Sequence, residues 1–271
     1  MNDHLTAEQI ARYREDGFLV IENFLSPEEV ETWRETLEAA VSSRGQTRIL
    51  GAEEGGKHES DYYNNVFIQR VNLWQSDPAI KPLILDQRIG KMACELEGLD
   101  GIRVWHDQAL IKRPWDNPTA WHLDNPYWSF YSRHAISIWI ALDDATLDNG
   151  CLWFLPGTHK LATYDNVGIG PNMRAIFQAY PQWQNIESVP AVMKAGDCSF
   201  HNGLTCHGAG ANMTHRWRRA MTCAFMPEGS TFNGNKNILT DEMIARLDEG
   251  DPLCDDAFNP AVWSRNQHAT V

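Results

Sequence analysis

The chain has 271 residues, enough for one sizeable core. With 43% hydrophobic and 22% charged residues it is globular in composition, and a net charge of −13 argues against a protein built to neutralise nucleic-acid phosphates. No apolar run approaches the roughly 20 residues of a membrane helix, and the opening MNDHLTAEQIARYRED has no apolar signal core, so no membrane partner is expected and the chain reads as cytoplasmic.

Thr6 with Gln9 has the pattern of a capping box, and Gly17 stops the first helix. FLVIENF, residues 18–24, is rich in β-formers. Ser26, Pro27 and Glu29 open a second helix that runs to about Ala40. Residues 42–65 break the pattern, and the polar, Gly-rich GAEEGGKHESDYYNN reads as a loop and a candidate lid. Residues 66–74 read as a strand, and residues 77–98 carry helical spacing broken near Asp86. From Gly101 strand-like segments recur with turns between them: IRVWHDQALIKR, AISIWIALDD, GCLWFLPG, DCSFHNG and RRAMTCAFM. Strands without intervening helices predict an antiparallel sandwich or jelly roll rather than a parallel sheet. Residues 164–189 interrupt this series as a second candidate lid, and the acidic tail beyond Phe232 holds one helix near residues 241–247. The expected organisation is a single domain over 1–271: a mostly helical front part (1–98), a jelly-roll core (99–230) and a C-terminal tail (231–271). The six cysteines form no C-x-x-C pair and read as buried thiols of a reducing compartment.

The segment that carries chemistry is WHLDNPYW. On an extended strand His122 and Asp124 would project from the same face, and an imidazole beside a carboxylate can hold a divalent metal. His207, in CHGAGAN, is the best third ligand; His201, six residues earlier, is the runner-up. Two histidines and one carboxylate on one face of an octahedral ion leave three positions open, the facial triad of non-haem Fe(II) oxygenases. Arg218 opens the next strand. It alternates with Arg219, so only one of the two faces a pocket, and an Arg in an apolar barrel needs an anion.

In combination, HDQALIK, WHLDNPYW, SIWIALDDATLDNGCLWFLPGTHK and the HGAGAN…RRA stretch resemble the phytanoyl-CoA dioxygenase family of Fe(II)- and 2-oxoglutarate-dependent oxygenases. The resemblance implies a mainly β fold with flanking helices, a double-stranded β-helix (jelly roll, cupin-like). It implies Fe(II) on His122, Asp124 and His207, 2-oxoglutarate and O2 as co-substrates, and Arg218 on the far carboxylate of 2-oxoglutarate. Gln108 and Trp139 match positions lining the co-substrate, and Arg70 matches an upstream basic contact. Ala209 stands where the family often has a hydroxyl. Halogenating relatives have a small residue at the position of Asp124, so the carboxylate implies hydroxylation or a related oxidation rather than halogenation, with release of succinate and CO2.

The substrate is expected to be a small organic molecule held by the lids and by Asn125, Tyr127 and Trp128. A CoA thioester would need a basic rim, for which Arg113, Arg133, His215, Arg216 and Arg219 are available; a free small molecule fits the acidic chain better. A metal-dependent cupin-like enzyme that does not use 2-oxoglutarate and a catalytically silent binding barrel are the alternatives. The oligomeric state cannot be read from the sequence.

Overall fold

The computed structural model describes residues 1–50 and 61–265. Its helical front part begins with α1 (Ala7–Asp16) and α2 (Pro27–Arg44), each opened by the expected capping box, and Gly17 ends α1 at φ 83°. Helix α2 continues past Ala40 because no breaker intervenes before Gly45. The expected strand at 66–74 is shorter: β2 covers Ile68–Val71 and gives way to α4 (Leu73–Ser76). Asp107 causes the switch, since its buried carboxylate accepts the backbone N–H groups of Leu73 and Trp74. Asp86 breaks the next helical stretch by capping α6 (Gln87–Glu97), which follows α5 (Lys81–Ile84).

Among the described residues the strands form two sheets with antiparallel pairing throughout. The larger uses β1 (Phe18–Ile21), β3 (Gly101–Lys112), β5 (Ile136–Ala141), β8 (Cys198–Asn202), β10 (Arg218–Pro227) and β11 (Ala261–Ser264), in the order β1-β8-β5-β10-β3-β11, with β2 also against β3. The smaller has the order β4-β9-β6-β7, from β4 (Thr119–His122), β6 (Leu152–Phe154), β7 (Val189–Ala191) and β9 (His207–Ala209). The predicted antiparallel jelly roll is therefore present.

Period-2 alternation divides the larger sheet between two jobs. Ile136, Ile138 and Ile140 of β5, with Met221, Cys223 and Phe225 of β10, pack on Tyr13, Trp33, Leu37, Met92 and Leu96 of the helices. The intervening Ser137, Trp139, Arg218 and Thr222 face a cavity between the sheets. Strand β3 carries a bulge at Trp105: Phe225 pairs with Val104, but the next residue, Ala224, pairs with His106. The extra residue reverses the alternation. Val104 thus joins the helix-side core, whereas His106, Gln108 and Leu110 point into the cavity. Phe18 of β1 stacks on Phe154 of β6, ring centroids 4.3 Å apart, and joins the two sheets.

Candidate active site

Strand β4 ends at His122 and β9 starts at His207, and these two residues are register partners with ring centroids 4.2 Å apart. The strands can come this close because β9 continues with Gly208, where a Cβ would lie 2.9 Å from the Thr119 carbonyl oxygen. Asp124 is not on the strand, contrary to the expectation from two-residue spacing. It sits at φ −82°, ψ −52°, at the start of a 3-10 turn over Asn125–Tyr127. The Gly203 carbonyl accepts the N–H groups of both Asp124 and Asn125, at 3.0 and 2.9 Å, and this bends the chain over. The turn brings the carboxylate back between the rings: Asp124 Oδ1 is 3.5 Å from His122 Nε2 and 3.7 Å from His207 Nε2. One donor atom from each of the three residues lies within 4.8 Å of the others.

The donor chemistry suits a divalent ion. His122 Nδ1 lies 2.8 Å from the Ala120 carbonyl and His207 Nδ1 lies 3.0 Å from that of Thr205. A carbonyl can only accept, so each Nδ1 carries the proton and each Nε2 keeps its lone pair toward Asp124. Burial, and then the neighbouring His122, push the His207 imidazole down to about 3, which keeps it neutral as a ligand must be. Ligands at roughly 2.1 Å from one ion and at right angles sit about 3 Å apart, so the 3.5 and 3.7 Å separations here need to close by about half an ångström or slightly more on an ion.

The same cavity, of about 380 Å³, ends on the other side at Arg218. This guanidinium is 2% exposed and stands 5.1 Å over the ring of Trp139. Its contact with protein is thin: one N–H reaches the Leu110 carbonyl at 3.3 Å, and Nε has no hydrogen-bond partner among the described residues. Burial pushes it down to about 10, a measure of how much a buried cation lacks here. Arg219 points the other way, onto Asp143 at 2.7 Å and onto Glu38, as alternation requires. Lys112, the register partner of Arg218, is buried rather than solvated: its ammonium donates to the carbonyls of Val66 and Asn117 at 2.9 and 2.6 Å. Burial, then Arg218, push it down to about 7. Gly150, at φ 93°, leaves it room, since a Cβ there would lie 2.6 Å from Lys112 Cδ.

Gln108 and Trp139 line the cavity as expected. Arg70 does not. On β2 it is Gln69 and Val71 that face inward, so Arg70 turns out and donates to the carbonyls of Gly45 and Gln69, both at 2.7 Å. Gln69 instead donates its amide to Gln108, and Arg48 reaches Gln69 at 3.2 Å from the mouth. Thr119, the register partner of Ala209, also lines the cavity and places a hydroxyl beside the position where Ala209 lacks one. His106 faces inward as well; burial pushes it down to about 4, so it is a neutral imidazole. These four residues were missed: the bulge and the strand pairing that aim them are not written in local sequence.

The first candidate lid falls partly on residues 51–60, outside the described residues. In its described part Tyr63, and just beyond it Phe67, form cavity wall. The second candidate lid is mostly packed structure. Tyr180 and Trp183 stack at 3.8 Å and are buried with Leu155 and Leu204, and from this segment Gly168 and Ile169 reach the cavity. Tyr127 and Trp128 line it too, but Asn125 is turned into backbone contacts with Phe130 and Ser132.

Residues 13–220 match the family model for phytanoyl-CoA dioxygenase. The human protein "Phytanoyl-CoA dioxygenase, peroxisomal" is 30% identical over 239 residues, covering 83% of this chain and 69% of its own. Among solved structures, the non-heme alpha ketoglutarate dependent carbocyclase SnoK from nogalamycin biosynthesis is 28% identical with a TM-score of 0.78, covering 96% of this chain and 98% of that one. The epimerase SnoN, in complex with Fe3+, alpha ketoglutarate and nogalamycin RO, is 25% identical with a TM-score of 0.74, covering 94% and 98%. The same fold recurs in EctD from S. alaskensis with 2-oxoglutarate and 5-hydroxyectoine, at 19% identity and a TM-score of 0.70 over 93% and 87% of the two chains. The double-stranded β-helix, the histidine–carboxylate cluster and these likenesses agree, and the chain belongs to the phytanoyl-CoA dioxygenase family of iron- and 2-oxoglutarate-dependent oxygenases.

Proposed function

We propose that this enzyme hydroxylates an unactivated C–H bond of a small organic molecule, with His122, Asp124 and His207 as the iron ligands and Arg218 as the seat of the far carboxylate of 2-oxoglutarate. The overall balance is R–H, O2 and 2-oxoglutarate going to R–OH, succinate and CO2. The observation that carries the reading is Arg218: a buried guanidinium with an unused N–H, at the far end of the cavity that holds the triad. A carboxylate arriving there would supply a charge-assisted, forked partner. Iron bound by the triad supplies O2 activation coupled to decarboxylation of the keto acid.

The chain's own residues do the rest. Trp139 and Leu110 wall the anion end, and Thr119 offers the hydroxyl that Ala209 does not. Gln108, held by Gln69, lies between the anion end and the wider end. Asp124 fills the position that would otherwise admit a halide, which favours hydroxylation over halogenation. Tyr63, Tyr127, Trp128 and Ile238 give the wider end an apolar wall that orients a carbon chain or ring and excludes water, with Arg48 and His106 as polar handles. A free small molecule is favoured over a CoA thioester, because Arg113, Arg133 and Arg219 are already engaged by Asp116, by backbone carbonyls and by Asp143. The six thiols are unpaired, which suits work in a reducing compartment such as the cytoplasm.

A screen of small molecules for stimulated succinate release under 18O2 tests the proposal. One 18O atom in the product supports hydroxylation. Stimulated succinate with an unlabelled, isomerised or cyclised product favours the second reading, C–H cleavage without hydroxyl transfer, which the likeness to the carbocyclase and the epimerase brings forward.

A further inference from the structure

Three imidazoles, not two, surround the Asp124 carboxylate. His201, on β8 between Phe18 and Ser137, is buried, and its ring lies 4.6 Å from that of His207. By spacing alone it rivals His207 as a ligand. We propose that it is instead a positioning residue, a hydrogen-bond donor that grips the outer oxygen of Asp124 and keeps that carboxylate a one-oxygen ligand. The inference rests on the ligand set proposed above.

The oxygens of Asp124 are used differently. His122 and His207 approach Oδ1, whereas His201 Nε2 meets Oδ2 at 3.3 Å. The opposite ring nitrogens differ too. Carbonyls of Ala120 and Thr205 take the Nδ1 protons of His122 and His207, but His201 Nδ1 is buried with no hydrogen-bond partner among the described residues. A proton on that nitrogen would be a buried, unsatisfied donor, and Nε2 would turn a lone pair toward a carboxylate that can only accept. With the proton on Nε2 both faults disappear: Nε2–H donates to Oδ2, and only the Nδ1 lone pair stays unfilled. A nitrogen that carries a proton in the ring plane has no lone pair for a metal. The missing carbonyl behind His201 therefore separates it from the two ligands.

The consequence concerns the open coordination positions. A carboxylate whose second oxygen is free can rotate and chelate an ion through both oxygens, occupying a place that the keto acid or O2 needs. The N–H on Oδ2 opposes that rotation. Ser137 Oγ, at 3.5 Å from Oδ2, is too distant to do so alone.

Two experiments decide this. In the long-range 1H–15N spectrum of the Zn(II)-loaded protein, His201 should show the Nε2–H tautomer while His122 and His207 show Nδ1–H. An Nδ1–H tautomer at His201 overturns the proposal, and this reading needs no variant. Second, the metal-stripped protein is titrated with Co(II) alone and followed by its visible d–d bands. His201→Phe should weaken Co(II) binding by about 10- to 100-fold and alter the bands, as losses of outer-shell hydrogen bonds do, while apo thermal melting reports folding. His201→Gln, which keeps a donor, should recover most of the affinity. Unchanged binding in His201→Phe, or no recovery in His201→Gln, removes the positioning role. A loss as deep as that of His122→Ala makes His201 a ligand and also refutes it. Wild-type Co(II) affinity in His122→Ala would instead bring down the ligand set itself, a failure distinguishable from the others.

Discussion

The two ends of the cavity are built from different material. At the anion end Arg218, Trp139, Thr222 and Leu110 all sit on strands of the larger sheet, aimed by alternation and locked by neighbours on both sides. At the wider end Arg48, Tyr63, Tyr127, Ile169 and Ile238 come from turns, short helices and connecting segments, with His106 of β3 beside them. The proposed metal ligands stand between: two at strand ends, one on a turn. Rigid strands suit a co-substrate that every turnover shares, and connecting segments suit a substrate that differs between relatives, because loops tolerate change that a sheet register does not.

This contrast is open to attack, first at the metal. Asp124→Ala should reduce succinate formation by roughly a thousand-fold or more, since a lost ligand costs more than the 10- to 100-fold typical of outer-shell groups. Full succinate formation with 2-oxoglutarate and iron in that variant would remove the triad. Next, the anion end is tested by comparing neighbours. Arg218→Ala leaves the incoming carboxylate unpaired, a loss of about 2–4 kcal/mol, so the KM for 2-oxoglutarate should rise roughly 30- to 1000-fold. Arg219→Ala, which breaks a partly exposed ion pair with Asp143, should leave that KM within about 3-fold and cost about 1 kcal/mol of stability. Equal effects on KM would break the strand-direction argument. At the wider end, Ile169→Ala should raise the KM for the organic substrate about 10-fold and leave that for 2-oxoglutarate nearly unchanged. If both constants move together, the ends do not work separately.

The same contrast explains what was legible in the sequence. Where a side chain sits on a regular strand, residue spacing gives its direction: the inward aim of His207, Trp139 and Arg218 rather than Arg219, and the segments of the larger sheet, could all be read. Where direction depends on a pairing partner or on a distant carbonyl, it could not. Asp124 reached the right place by the wrong route, since the Gly203 carbonyl and not an extended strand aims it. Arg70 was misplaced because β2 shows its other face to the cavity, a register set by β3. His106 was hidden by the bulge at Trp105, which reverses the alternation that its neighbours obey. The burial of Lys112 is equally hidden, because nothing nearby in sequence reveals that Val66 and Asn117 cover it.

Lys112 provides the smallest effect and the finest distinction within the anion end, for it is a second buried cation beside Arg218 but is not in the cavity wall. Arg218 keeps an N–H without a partner among the described residues; Lys112 is already satisfied by carbonyls and ties the segment carrying Phe67 to the barrel. Burial lowers its ammonium from the ordinary 10.5 to about 7. Between those values the unfolded chain holds the proton that the folded chain has released. Unfolding then takes up protons, and stability must rise as the pH climbs through that window. Lys112→Met removes this contribution. From pH 7 to 9 the urea-derived stability of the wild type should therefore gain on that of Lys112→Met by on the order of 1–2 kcal/mol, while the KM for 2-oxoglutarate in the variant changes far less than in Arg218→Ala. Parallel pH profiles for the two proteins would mean that the ammonium stays charged inside the fold. Lys112 would then belong with Arg218 as a cation held for the co-substrate, not as a structural tether.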